Sequence, residues 1–245
     1  MQAFRYESSP DPIRPDLAEA YRGAWEHIAS PGTWLDGATR VAVADATRRA
    51  RDCALCQRRR EALSLVAVKG EHDGAGALAP PLLDAIHRIT TNAARLGEPW
   101  LRGLFEQGLT AEEYVEALGV AVQTLSIDRF HHALGLPPEP LPEPRPGTPS
   151  RVRPEGLVEG EAWVPLQDAR RFASELGLPV GRAPYVIRAL SLVPDEVRAW
   201  QRLSAVQYLA PAQMLRFGAS GARALDRSQI ELMAGRVSAL NECFY

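Results

Sequence analysis

Two cysteines, Cys53 and Cys56, stand in the sequence Cys-Ala-Leu-Cys, a spacing that proteins use for redox chemistry and for metal binding. The thiolate is the reactive form of cysteine. A helix N-terminus or a nearby arginine lowers the thiol pKa, and a second cysteine three positions later can attack the oxidised first one. Arginines flank the pair at positions 48, 49, 51, 58, 59 and 60, and nearby acids partly offset their charge. We therefore expect a redox-active dithiol here.

Zinc is the alternative use for the cysteine pair. A structural zinc site needs about four cysteine or histidine ligands, and the chain has no second CxxC. The further ligands are Cys243, His27, His72, His87 and the adjacent His131 and His132, none with the short paired spacing of a zinc finger. We therefore expect no resident metal. His72 stands beside Asp73, and an acid can orient an imidazole.

The elements that position these residues are predicted to be helices. Apolar residues recur at three- and four-residue spacing in nearly every segment, without an alternating strand pattern bounded by hairpin signals. The sequence predicts an all-α fold. Helices are expected at about 16–30, 36–51, 53–68, from 80, around 100–105, 110–135, 166–176, 185–192, 195–209 and 226–240. Thr110 and Glu113 fit a capping box, and Asp195 and Asp226 are predicted caps.

A proline-rich segment divides the chain. Eight prolines fall in the 18 residues from 137 to 154, which predicts an extended connector. The predicted organisation is a first helical unit over 1–136, the connector over 137–154, and a second helical unit over 155–245. At an offset of 190 residues, Leu35-Asp36 falls on Leu225-Asp226 and Cys53 on Cys243, so we expect two related units.

Composition excludes several classes of protein. The 245 residues carry a net charge of −2, which gives no general attraction to nucleic acid. Neither a hydrophobic leader nor an apolar run long enough for a spanning helix is present in the sequence, so we expect no membrane partner and a cytoplasmic location. Three cysteines do not form a secreted disulfide framework. No glycine-rich phosphate loop follows a strand, so no organic cofactor is expected.

The segment 227–245 resembles the signature helix of the alkylhydroperoxidase/carboxymuconolactone decarboxylase superfamily. Cys243 follows Glu231 by 243 − 231 = 12 residues, as the first cysteine of the family's CxxC follows its glutamate, and Asn241 and Tyr245 match the usual surroundings. The resemblance implies that Glu231 serves in a proton relay that activates Cys243. Peroxide then oxidises one thiol to a sulfenic acid, which condenses with the second thiol to a disulfide.

This resemblance stops one residue before the family's second cysteine and relay histidine. We expect that the next codon encodes selenocysteine, giving a CxxU pair, with a truncated chain as the competing explanation. The first unit resembles the family less closely, because Val41 stands at the glutamate position and Arg60 one turn past Cys56. The base that activates Cys53 and Cys56 must therefore lie elsewhere in the first unit. The possible relay residues are His72, Glu116, His131 and His132.

The resulting functional prediction is an enzyme, a peroxiredoxin-like, thiol-dependent hydroperoxide reductase with catalytic residues Cys53, Cys56, Glu231 and Cys243. Its expected partners are a hydroperoxide substrate and an external thiol or dithiol reductant, and the resemblance implies a homo-oligomer. Two alternatives remain: a decarboxylase-like lyase that acts on a lactone without redox cysteines, and a non-catalytic helical scaffold, with or without bound zinc.

Overall fold

The computed structural model describes residues 3–9, 11–74, 76–175, 185–209 and 224–241, and they form a mostly helical fold. This confirms the predicted all-α class. The helices are α1 (Pro15–Ala29), α2 (Gly37–Arg49), α3 (Ala54–Glu61), α4 (Pro80–Thr91), α5 (Glu98–Glu106), α6 (Ala111–Ala133), α7 (Ala169–Glu175), α8 (Tyr185–Arg188), α9 (Pro194–Gln207) and α10 (Arg227–Leu240), with a 3-10 turn at Ala93–Arg95 between α4 and α5.

The core is a helical bundle around α6. This helix packs against α2, α4 and α9, while α1 packs against α2 and α9. On α1 the buried Tyr21, Trp25 and Ile28 fall at four- and three-residue spacing, which places them on one face of the helix. One hydrophobic cluster extends from Phe4 to Leu203, so both sides of the proline-rich connector contribute to it. The division into two related units stays a prediction.

Side-chain caps fix where several helices begin. The Asp36 carboxylate accepts a hydrogen bond of 2.7 Å from the Thr39 backbone N–H at the start of α2. The predicted capping box of Thr110 and Glu113 is confirmed at α6, and Asp226 caps α10 as predicted. The predicted cap at Asp195 is wrong. Pro194 occupies the first turn of α9, so Asp195 lies inside the helix.

Three other predicted elements differ from the structure. The helix expected over 185–192 ends at Arg188. The helix expected to reach residue 68 ends at Glu61, and the backbone of Ala62 is extended. Leu63 directly after it is fully exposed, so no apolar face continues the helix. The segment predicted as a helix from 166 begins as strand β2 (Leu166–Gln167), which pairs antiparallel with β1 (Leu157–Val158) before α7 starts. Both residues of β2 are buried, and pairing with β1 provides hydrogen-bond partners for backbone groups that are withdrawn from water.

The proline-rich connector lies along the turn between α1 and α2. The Arg145 N–H donates to the Ala29 carbonyl at 2.8 Å, and the Arg151 N–H donates to the Thr33 carbonyl at 2.8 Å. The Trp25 indole donates to the Pro140 carbonyl. The connector contains no helix or strand, and these hydrogen bonds hold it to the helices beside it. Within the described residues, no helix combines the length and apolarity needed to cross a membrane.

Candidate metal and thiol centre

Three elements bring two cysteines and two histidines together. Cys53 is the residue before α3, and Cys56 lies in its first turn. His72 comes from the loop between α3 and α4, and His87 from the middle of α4. The two Sγ atoms and one ring nitrogen of each histidine all lie within 4.8 Å of one another.

Three sulfur–nitrogen distances within this group are short and similar. His72 Nδ1 lies 3.6 Å from Cys53 Sγ and 3.5 Å from Cys56 Sγ. His87 Nδ1 lies 3.4 Å from Cys56 Sγ. All four residues are buried, and both cysteines are free thiols with no exposed surface. The group thus presents four donor atoms to one shared point away from solvent.

A second layer of side chains orients His72. Asp84 Oδ1 lies 3.0 Å from His72 Nε2 and accepts a hydrogen bond of 2.8 Å from the Arg59 guanidinium. The Trp100 indole donates to the other carboxylate oxygen at 2.9 Å. Burial would raise the pKa of Asp84, but the hydrogen bonds from His72, Trp100 and Arg59 outweigh it and hold the pKa far below its usual range. Asp84 is therefore a carboxylate, and it fixes which His72 nitrogen faces the thiols.

Burial sets the protonation of the group. It raises the pKa of the Cys56 thiol to about 12 and lowers that of the His87 ring to about 4. At Cys53 the same burial is outweighed by hydrogen bonds, first from the backbone at Asp73 and at Cys56, which lower the pKa of the thiol. Without a bound cation, Cys56 and His87 are thus neutral at pH 7, as expected for buried groups.

Glu116, one of the predicted relay residues, lies in a different cluster. Its carboxylate accepts a hydrogen bond of 2.5 Å from Arg40, and Arg40 also donates to Glu196 at 2.8 Å. All three side chains have no exposed surface. The backbone N–H of Trp34 donates to Glu116 as well. The structure therefore gives Glu116 a place in a buried ion-pair network rather than beside the thiols.

The two adjacent histidines also lie apart from the thiols. His131 Nε2 is 2.8 Å from the Tyr6 hydroxyl, and its Nδ1 is 2.8 Å from the Pro137 carbonyl. His132 is exposed and lines a cleft together with Arg51 and Arg129. Of the four predicted relay residues, His72 alone contacts the cysteines in the described part of the chain.

The C-terminal pair is described only in part. Glu231 lies on α10, where its carboxylate accepts a hydrogen bond of 2.8 Å from the Tyr208 hydroxyl and pairs with Arg227. The predicted partner Cys243 lies outside the described residues. The proposed relay from Glu231 to Cys243 stays a prediction.

Sequence reasoning considered His87 as a zinc ligand but did not select it, and it missed Asp84 altogether. A usable signal was present, because Asp84, His87 and Arg88 fall at positions i, i+3 and i+4 of the helix that Pro80 begins. Such residues share one helical face. Charged residues and a histidine grouped on one face of a largely apolar helix indicate a site.

Comparison with protein-family models, with curated proteins and with solved structures finds no match for the chain.

Proposed function

We propose that Cys53, Cys56, His72 and His87 bind one zinc ion, and that this centre stabilises the α3 region of an all-helical protein. The observation that carries the proposal is the set of distances between ligand atoms. Zinc bonds of about 2.3 Å to sulfur and about 2.0–2.1 Å to nitrogen, at tetrahedral angles, separate the sulfur and nitrogen atoms by about 3.5–3.6 Å. Of the four sulfur–nitrogen distances, three are 3.4, 3.5 and 3.6 Å, and the fourth, between Cys53 and His87, is within 4.8 Å.

Donor type and charge support zinc over other cations. Two sulfurs and two imidazole nitrogens in a tetrahedral arrangement are typical of zinc, whereas magnesium and calcium prefer oxygen ligands. Binding releases the thiol protons, and two thiolates then balance the charge of Zn²⁺. A neutral centre suits a site with so little exposed surface, since an uncompensated charge there would be strongly unfavourable.

The packing of α3 explains what zinc contributes. This helix has eight residues, and its small cluster of buried apolar residues consists of Cys53, Leu55 and Cys56, with Val68 packed against it. This cluster is separate from the main core. So little apolar burial offsets only part of the entropy cost of ordering α3 and the loop after it. A metal that links α3, the loop and α4 supplies the missing stabilisation.

Metal analysis of purified chain tests the proposal. We expect one zinc per chain, and we expect Cys56→Ser and His87→Ala to lose it. His132→Ala is the matched control and should retain zinc, because His132 does not belong to the group of four. Reduced protein that contains no zinc and fails to compete with a chromogenic chelator for added Zn²⁺ would refute the proposal.

A spectroscopic readout separates ligation from mere retention of metal. Co²⁺ substituted at the site should give the intense visible absorption of a tetrahedral complex and sulfur-to-metal charge transfer in the near ultraviolet. His87→Cys keeps four ligands and should shift this spectrum rather than abolish it. An octahedral, weakly absorbing cobalt complex would contradict the proposed geometry.

A second candidate function is thiol-dependent reduction of hydroperoxides, as the resemblance to the alkylhydroperoxidase superfamily implies. The observation that favours it is the reduced pair itself, since Cys53 stands at the start of α3 with a lowered thiol pKa and Cys56 follows one turn later. The Cys53 thiolate would attack the peroxide, giving a sulfenic acid and releasing the alcohol after protonation. The Cys56 thiol would then displace water from the sulfenic acid to form the disulfide, which an external dithiol reduces.

Both thiols lack exposed surface, so this reaction requires that the region open to admit peroxide. Zinc-free protein treated with one equivalent of hydrogen peroxide should lose two hydrogens within the Cys53–Cys56 peptide, and it should turn over with dithiothreitol. Cys53→Ser should abolish both effects. If zinc-free protein forms no such disulfide, the pair serves the metal alone.

The remaining functional predictions accompany this second candidate. Cys243 with Glu231 would form another redox site. The substrate would be a hydroperoxide, and the electron donor would be a thiol or dithiol. The enzyme itself would be a homo-oligomer. A cytoplasmic location is proposed because free thiols persist in a reducing compartment.

A further inference from the structure

A cleft of about 740 Å³ lies beside the cysteine–histidine group, between α4, α5 and the loop after α3. One side of its wall is polar and includes His72, Asp84 and Arg88. The rest is largely apolar and includes Leu65, Leu78, Leu83 and Leu104. A cleft of this size with a few polar groups at one end is typical of a small-molecule site.

Arg88 is the unusual member of the wall. It is 6% exposed, and its buried Nε has no hydrogen-bond partner among the described residues. Its guanidinium carbon lies 4.7 Å from the centre of the Trp100 ring, and its nearest carboxylate oxygen, on Asp84, is 3.8 Å away. A buried arginine normally makes charge-assisted hydrogen bonds to an anion. None joins the side chain of Arg88 to the protein in the described part of the chain.

Asp84 balances the charge of Arg88 only in part, because other donors already form hydrogen bonds with its oxygens. Oδ1 receives the hydrogen bond from Arg59 and lies 3.0 Å from His72 Nε2, and Oδ2 receives the hydrogen bond from Trp100. Two guanidinium groups thus share one carboxylate at this end of the cleft. The buried part of the wall therefore carries one positive charge more than Asp84 can balance, and the exposed Lys69 and Glu71, which also line the cleft, have opposite charges.

We propose that this cleft binds a monocarboxylate with an apolar chain, whose carboxylate pairs with Arg88 and whose chain lies against the leucine side chains. The Trp100 ring holds the guanidinium from one face, so its donor edge is left for the carboxylate. The site goes beyond the zinc centre and the dithiol, and it does not rest on either.

Isothermal titration of the full chain with decanoate tests the proposal, with decanol as the uncharged probe. We expect decanoate to bind and decanol to bind about tenfold or more weakly. Arg88→Met should weaken decanoate binding to the level of decanol. Arg102→Met on α5 is the control, because Arg102 pairs with Glu98 and does not line this cleft.

A second variant tests the location without touching the polar wall. Gly103 lines the cleft, and a Cβ added there meets no atom within 4 Å. Gly103→Met should therefore fold normally and block the cleft, lowering affinity for decanoate and decanol alike. Absence of decanoate binding up to about 1 mM, equal affinity for the two probes, or unchanged decanoate binding by Arg88→Met or Gly103→Met would each overturn the proposal.

Discussion

Replacing Arg40 by methionine removes the cation at the centre of the buried ion-pair network. Arg40 donates to Glu116 at 2.5 Å and to Glu196 at 2.8 Å, and it also donates to the His27 carbonyl at 3.2 Å. Methionine keeps much of the apolar volume but makes none of these bonds. Two carboxylates with no exposed surface then remain without their shared partner.

The expected loss of stability is large. Removing one partner of a buried ion pair costs about 3–5 kcal/mol, because an uncompensated charge is left inside the protein. Arg40 serves two carboxylates, so we place the loss near the upper end, at about 4 kcal/mol. For a chain of this length, each kcal/mol shifts Tm by about 2–4 °C. The expected decrease in Tm is therefore about 8–16 °C.

Urea unfolding followed by circular dichroism measures this change. The matched control is Arg49→Met, since Arg49 pairs with Asp45 on the surface, with both side chains more than a third exposed. We expect the control to change the free energy of unfolding by less than about 0.5 kcal/mol. A loss at Arg40 below about 1 kcal/mol would refute the view that this network holds α2, α6 and α9 together.

The loss should also depend on pH. Burial raises the pKa of Glu116, and at Glu196 burial is outweighed by Arg40 and His27, which lower the pKa. Without Arg40 both folded-state pKa values rise above the unfolded value of about 4.3. The folded variant then binds protons more tightly than the unfolded chain, so it loses stability as pH rises above that value. The difference in free energy of unfolding between wild type and Arg40→Met should therefore decrease as pH falls from about 7.5 to 5. A difference that is independent of pH would contradict the assigned role of Arg40 in keeping both glutamates ionised.

Two further changes test local packing and capping. Gly119→Ala is expected to destabilise the protein by about 1–3 kcal/mol, because the new Cβ would lie 2.6 Å from Glu196 Cγ. At Gly23 a new Cβ meets no atom within 4 Å, so Gly23→Ala should stabilise the protein by about 0.5–1 kcal/mol. Urea midpoints compare the two, and an equal gain at both would contradict the packing. Asp36→Ala should cost about 1 kcal/mol at pH 7. Since the hydrogen bond from Thr39 lowers the pKa of Asp36, this cost should fade below about pH 4, and a cost unchanged at pH 3 would argue against the cap.

The helices with a clear apolar face and a cap were predictable from local sequence. The face of α1 and the capping box at Thr110 fix their elements without help from the rest of the chain. The end of α3 was not predictable, because its polar residues after Cys56 continue a helical composition as far as Glu61 and no proline or glycine marks the stop. Helix α3 ends where no other part of the protein packs against its continuation, and such packing depends on the tertiary structure rather than on local sequence.

The candidate site was predictable in its cysteines and in His72, but not as a group of four. His87 joins it only because the loop after α3 returns the chain to the start of α4, and loop paths leave no periodic signal in sequence. The pairing of Arg40 with Glu116 and Glu196 was hidden for the same reason. These residues stand 76 and 156 positions from Arg40 and meet only through packing of α2, α6 and α9.

Helix α9 is held in the bundle by its packing on other helices. It follows the proline-rich connector, yet it packs on α1 and α6 and contributes Glu196 to their buried network. An uncut connector over residues 137–154 is therefore not required to hold α9 against α1 and α6. A chain cleaved in this connector should migrate as one particle, and two separately produced fragments should reassemble at a concentration set by that interface alone.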